Sequence, residues 1–184
     1  MNRKQALIFL KQNLSNKNLI KHCFAVEAIM RSLATFFKED EEKWGLAGLL
    51  HDIDYEQVKD NIIQHSLIGS EMLKNRGIDK DICQAVKVHN ETHGIAPKTI
   101  LEKALFITDP LTGLIVAATL VLPSKKIVDL TTENILNRFK EKAFAKGANR
   151  EIINKSEELL GLKLEEFIEI GLKAMQKNSQ ELGL

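Results

Sequence analysis

Four histidines and two aspartates are the residues of this chain best suited to chemistry: His22, His51 with Asp52, His65, His89 and Asp109, in that order. Each falls where the surrounding pattern calls for an apolar side chain. A polar group buried without a partner costs a few kcal/mol, so these inward sites need either a separate partner each or one shared partner. A metal ion, or a pair of ions, satisfies them together, because imidazole nitrogen and carboxylate oxygen are ligands for iron, manganese, zinc, cobalt and nickel. The expected cofactor is therefore a divalent transition metal, as one ion or two.

The elements that position these residues read as helices. Between Leu19 and Phe37, the apolar residues Leu19, Cys23, Val26, Ile29, Met30 and Leu33 form one stripe, and His22 lies on it, three after Leu19 and four before Val26. Asp40 is a plausible N-cap, with Glu41 and Glu42 in the first turn; Trp44, Ala47 and Gly48 then define a face that next reaches His51. Ile62, Ile68, Gly69, Met72 and Leu73 bracket His65, while Ile82, Ala85 and Val86 lead to His89. Leu101, Leu105 and Phe106 point at Asp109, after a capping box in which Thr99 precedes Glu102 by three residues. Gly77 reads as a helix C-cap, Gly94 and Pro97 as a loop, and Pro123-Ser124 as the end of a long apolar stretch that begins near Leu111. Pro110 should kink its helix or free a carbonyl beside Asp109. Further helices are expected near Thr132 to Lys146, Asn149 to Leu160 and Leu164 to Lys177. No strand signal outweighs these periodicities, and the fold class is all-α.

Composition sets the broad limits. A chain of 184 residues with 44% hydrophobic residues is suited to one domain over residues 1–184 with a sizeable core. The net charge of +1 gives no overall call for nucleic acid as a partner. No apolar run of membrane-spanning length is free of charges, and Met1-Asn2-Arg3-Lys4 leads into an amphipathic segment, so a cytoplasmic location away from membranes is expected. Cys23 and Cys83 form no Cys-x-x-Cys motif and read as small buried hydrophobes.

The pair His51-Asp52 at a helix end, with a histidine on the preceding helix and an aspartate on a later one, resembles the HD superfamily of metal-dependent hydrolases over roughly residues 15–120. The fold this implies is a compact helical HD-domain bundle, here with extra C-terminal helices over about 124–180. The resemblance implies that His22, His51, Asp52 and Asp109 bind one ion. It also implies that His65 and His89 bind a second, with Asp52 bridging the two. The chain departs from many relatives in one respect: where they carry a lysine soon after the pair, it reads His51-Asp52-Ile53-Asp54-Tyr55. It also lacks the Gly-Tyr-Pro of the cyclic dinucleotide-degrading branch. Asp52 is thus assigned to the chemistry, and Asp54 is a candidate replacement acid or base, or else a turn residue.

A coordinated ion acidifies its water toward neutrality and neutralises charge on a phosphoryl oxygen, a combination that suits hydrolysis of a small phosphorylated compound such as a nucleotide. The basic span Arg138, Lys140, Lys142, Lys146 and Arg150 offers cations for such a phosphate, with Arg138, Lys142 and Lys146 as candidate substrate contacts. The alternative is a solvated helix face. His93, four residues after His89, is a candidate substrate contact or proton shuttle, and Asn90 and Thr92 are further candidates. Two other functions share the same ligands: a di-iron oxygenase of the same superfamily, and an inactive metal- or nucleotide-binding module.

Overall fold

A computed structural model describes residues 1–184 as α-helices joined by short loops and 3-10 turns, with no strand. The all-α reading holds. In chain order the helices are α1 (Arg3–Asn13), α2 (Lys17–Phe37), α3 (Glu41–Leu50), α4 (Tyr55–Val58), α5 (Leu67–Asn75), α6 (Lys80–Val88), α7 (Ile100–Leu120), α8 (Thr132–Lys140), α9 (Arg150–Ile153), α10 (Ser156–Leu160), α11 (Leu164–Lys177) and α12 (Ser179–Leu182). Asn16, Asp40, Asp79 and Thr99 each accept a backbone N–H from the first turn of α2, α3, α6 and α7, satisfying donors that a helix start leaves unpaired. These are the helices that carry or lead into most of the ligand-type residues.

The two 21-residue helices α2 and α7 form the centre. α2 packs along α3, α7 and α11, and α7 also meets α6, α8, α9 and α10. By length and composition α7 could cross a membrane, yet most of it is buried in the protein; Leu105, Leu111, Leu114 and Ile115 are sealed by the surrounding helices. A helix enclosed on most sides needs an almost continuous apolar run. α7 passes through Pro110, which has no N–H to return to the carbonyl of Phe106 one turn back.

The C-terminal helices share this core. Phe167, Ile168 and Met175 of α11 lie in the same apolar cluster as Ile29 and Leu33 of α2, and each such side chain contributes ~1.5–3 kcal/mol when fully buried. Burial of this kind offsets the cost of desolvating the polar site. On another face of α2, the buried carboxylate of Glu27 accepts from Arg3 Nε (2.7 Å) and Arg31 Nε (2.9 Å). Arg3 continues to Glu181 and Arg31 to Glu42, so the network ties α1, α2, α3 and α12 together.

The C-terminal third departs from its periodicity in two places. α8 stops at Lys140 rather than Lys146, because the Arg150 guanidinium donates to the carbonyls of Phe139, Glu141 and Phe144 and folds residues 141–149 into a loop. The stretch from Asn149 to Leu160 is two short helices parted at Asn154 and Lys155.

Candidate metal centre

The six ligand-type residues come from five stretches of chain and meet at one point. His22 lies in the second turn of α2, His51 directly after α3 with Asp52 in the following turn, His89 directly after α6, and Asp109 in the middle of α7. His22 Nε2 is 3.1 Å from His51 Nε2 and 3.0 Å from Asp109 Oδ1. Asp52 stands between two groups: its Oδ1 is 3.3 Å from His51 Nε2, 3.2 Å from His65 Nε2 and 3.5 Å from His89 Nε2, while Oδ2 is 3.5 Å from His22 Nε2. His22, His51 and Asp109 form one set with the spacing to hold an ion, and His51, Asp52 and His89 another.

The far side of each ring fixes its tautomer. His51 Nδ1–H donates to the Gly48 carbonyl (2.8 Å), His89 Nδ1–H to the Val86 carbonyl (2.6 Å) and His65 Nδ1–H to Asp54 Oδ1 (2.9 Å). The Thr112 hydroxyl donates to the Asp109 carbonyl (2.9 Å), so its oxygen accepts from His22 Nδ1 (3.0 Å). In the neutral rings, all four Nε2 lone pairs therefore face inward, toward one another and toward two carboxylates. A cation is the partner that such a set of donors lacks, and outer hydrogen bonds of this kind are what orient metal-ligating imidazoles. No thiolate joins them: burial, reinforced by the charges of Asp52 and Asp109, pushes the Cys23 thiol well above its ordinary value. The donor set fits a divalent transition metal.

Both carboxylates stay ionised at neutral pH. Burial works against this for Asp52, but His51, His65, His89 and His22 outweigh it and hold the group well below the usual carboxylate range. Burial likewise opposes ionisation of Asp109, and His22 and His51 outweigh it in the same direction.

His65 differs from the periodic expectation. It lies in no helix: it follows the 3-10 turn Ile62–Gln64, and Ser66 after it has a φ of 70°, breaking the chain before α5. Ile62, expected beside it in the core, is 46% exposed. The break is held by Asp54, fully buried, whose Oδ2 accepts from Ser66 N–H (2.8 Å) and Gly69 N–H (2.7 Å) while Oδ1 holds His65. With every oxygen occupied and none facing solvent, Asp54 is not placed to exchange protons with a substrate; it positions His65.

Without an ion, burial lowers the proton affinity of His65, but Asp52 and Asp54 on either side outweigh it and lift its pKa from 6.5 to about 10. A raised pKa stabilises the fold fully below pH 6.5, and that contribution is lost as pH rises toward about 10. Metal binding runs the opposite way, because the ion displaces a proton from Nε2. Occupancy by a second ion is thus expected to rise with pH up to about 10, with release of about one proton below that value. Asp54→Asn should weaken that second ion ~10–100-fold, by loosening His65 and setting an NH₂ against two backbone N–H groups. Titration calorimetry in two buffers of different ionisation enthalpy measures both effects.

Two clefts open on the cluster. One, of about 390 Å³, is walled by Leu19, Tyr55, Ile62, Asn90 and Thr92 above Asp52, His65 and His89. The other, of about 190 Å³, runs past Asp109, Pro110 and Gly113 to Gly147, Ala148 and Asn149 of the C-terminal third. His22, Asp109, His89 and Glu91 line both. Glu91 accepts from Asn149 Nδ2 (3.2 Å), a contact that joins the C-terminal third to the rim.

The sequence model of the HD domain family matches residues 19–114, more than half of the chain, and the match contains all six ligand-type residues. The chain belongs to the HD domain family. That family is one of metal-dependent phosphohydrolases that bind divalent metals. Ribonuclease Y of Oleidesulfovibrio alaskensis is 32% identical over 142 residues, 74% of this chain and 27% of that protein. Ribonuclease Y of Nitratidesulfovibrio vulgaris is 33% identical over 144 residues, again 74% of this chain and 27% of that protein. The chain therefore spans about a quarter of the length of these relatives. An uncharacterized protein of Methanocaldococcus jannaschii is 34% identical over 94 residues, 48% of this chain and 54% of that protein. No solved structure matches the chain significantly.

Several expected contacts of this HD domain fall elsewhere. Lys142 and Lys146 are exposed on the loop after α8 and line neither cleft. Arg138 is bound to Glu141 and faces a separate depression beside Val121 and Leu122. The loop made by Arg150 turns these cations away and presents Gly147 and Asn149 instead. His93 Nε2 donates to the His65 carbonyl (2.7 Å) and so braces a ligand. Asn90 does the same through Nδ2 (3.3 Å), although it also lines the larger cleft. Sequence reasoning passed over Glu91, Tyr55 and Thr112; of these, Thr112 was the most accessible, being three residues beyond Asp109 on the same helical face.

Proposed function

We propose that this HD domain hydrolyses a phosphodiester, with the phosphate seated over the cluster of His22, His51, Asp52, His65, His89 and Asp109. The observation that carries the reading is the charge of the site. Neither cleft is lined by lysine or arginine, so positive charge for a phosphate comes from metal alone. Two divalent ions would be offset charge for charge by Asp52, Asp54, Asp109 and Glu91. A nearly neutral site of low dielectric accepts the single charge of a diester more readily than the two of a monoester or the four of a nucleoside triphosphate.

The bound metal supplies Lewis acidity and a water of lowered pKa. Asp52, with Oδ2 toward His22 and Oδ1 toward His51, His65 and His89, would help to hold the metal of both ligand groups. Tyr55 and Thr92 on the cleft wall supply neutral hydrogen-bond donors for the phosphoryl oxygens. Glu91, exposed at the rim, is the carboxylate best placed to take up or return a proton at the leaving alcohol. The name Ribonuclease Y borne by two relatives supports a nucleotide diester, in a short oligonucleotide or a dinucleotide.

The test is a comparison of kcat/KM for bis-p-nitrophenyl phosphate, p-nitrophenyl phosphate, a ribodinucleotide and ATP with manganese-loaded protein. Diesters are expected to exceed the monoester and ATP by about tenfold or more. A preference for the monoester or ATP would contradict the reading.

A further inference from the structure

The HD-family match ends at residue 114, yet the smaller cleft, which contains His89 and Asp109, is also lined by Ala148, Asn149 and Ile152. The packing fixes this part of the wall. Ala148, Ile152 and Ile153 lie in the apolar core, and the Arg150 guanidinium donates to the carbonyls of Phe139 (2.8 Å), Glu141 (3.2 Å) and Ala148 (3.4 Å). These bonds hold a loop in which Ala145 takes a φ of 44°, a conformation that a residue other than glycine adopts only when its surroundings impose it.

Asn149 stands at the end of the loop, and both ends of its amide are committed. Oδ1 accepts from the N–H groups of Glu151 (3.1 Å) and Ile152 (3.3 Å), capping α9, while Nδ2–H donates to Glu91 Oε1 (3.2 Å). The reverse orientation would set NH₂ against two N–H groups and an oxygen against a carboxylate. The cap therefore aims the donor at Glu91. No other side chain bonds to the Glu91 carboxylate, which lines both clefts with His22, His89 and Asp109. An exposed glutamate without an anchor samples many rotamers, whereas proton exchange needs its partners within hydrogen-bond reach.

We propose that Asn149 is a positioning residue for Glu91, so that the C-terminal third completes the site at which the alcohol departs. The inference rests on the phosphodiester reading and on the role given there to Glu91. As the bond from phosphorus to the leaving oxygen breaks, the oxygen of a water takes its place, and one of that water's protons reaches the leaving oxygen by way of Glu91. Asn149 holds one carboxylate oxygen and leaves the other for this transfer.

The experiment compares kcat and KM of manganese-loaded protein on two diesters, with metal content measured on each preparation. The p-nitrophenolate of bis-p-nitrophenyl phosphate departs as a stable anion and needs no proton, whereas the nucleoside alcohol leaving a ribodinucleotide does. Asn149→Ser keeps an N-cap oxygen and loses the donor to Glu91. It is expected to lower kcat on the ribodinucleotide about tenfold or more, with kcat on bis-p-nitrophenyl phosphate within about twofold of the parent and metal content unchanged. In a Glu91→Gln background the same substitution should have no further effect. Asn149→Asp, which also caps the helix but sets a like charge beside Glu91, should show the same split and serves if the first variant does not fold. Equal losses on both diesters, no loss on either, or full additivity with Glu91→Gln overturns the inference. A parent that hydrolyses only monoesters removes the phosphodiester reading alone; the variants are then compared on p-nitrophenyl phosphate and AMP, where the same split supports the inference and its absence overturns it. A parent inactive on every one of these esters overturns both.

Discussion

Asp52→Ala is expected to lose both ions at once, and with them turnover by a factor of at least ~10⁴. The Asp52 carboxylate reaches ligands of both groups: Oδ1 lies 3.2–3.5 Å from the Nε2 atoms of His51, His65 and His89, and Oδ2 lies 3.5 Å from that of His22. Removing it leaves inward imidazoles with one carboxylate, Asp109, among them. Helicity should persist, since the apolar cluster that sets the fold does not include Asp52. Elemental analysis, circular dichroism and diester hydrolysis on one preparation check this. Retention of one tightly bound ion with full turnover would show that Asp52 does not bridge.

Gly48→Ala should cost about 1–3 kcal/mol of stability and weaken metal binding at the same time. α2 and α3 touch backbone to backbone at this point, where a Cβ on Gly48 would stand 2.9 Å from Glu27 N and Cα and 3.0 Å from Val26 C. Backbone cannot swing aside as a side chain does, so the helices must separate. The Gly48 carbonyl also accepts the Nδ1–H of His51, and a displaced α3 carries His51 and Asp52 away from His22. Chemical denaturation and metal titration of the same variant measure the two losses. An alanine tolerated without either would mean that the helix contact does not position the site.

The parts of the site that were legible in the sequence are those held by helical period. His22 and Asp109 sit within long helices whose apolar stripes fix the direction of every side chain, and His51 and His89 directly follow α3 and α6 in helical conformation. Local spacing was enough to place all four inward. His65 was not legible in the same way, because its position depends on the positive φ of Ser66 and on a carboxylate eleven residues earlier in the chain. Asp54 was open between an acid or base and a turn residue for a related reason: next to the His-Asp pair it looks like chemistry, and the three donors it collects from residues 65 to 69 lie beyond the reach of local spacing.

The basic span illustrates the opposite failure. Its lysines and arginines match the composition of a phosphate site, but one of their number, Arg150, spends its guanidinium on backbone carbonyls. Long-range bonds from a side chain to the main chain leave no periodic trace. The residues that do reach the cleft from this region, Gly147 and Asn149, are ones that composition alone would assign to a turn.

These six residues are expected to build a bridged two-ion site. Its most direct test is metal content per chain, by elemental analysis, in the parent and in His65→Ala, both reconstituted with manganese under the same conditions. Two ions per chain are expected in the parent and one in the variant, the remaining ion held by His22, His51, Asp52 and Asp109. No ion in the parent, or the same number in both proteins, would contradict it.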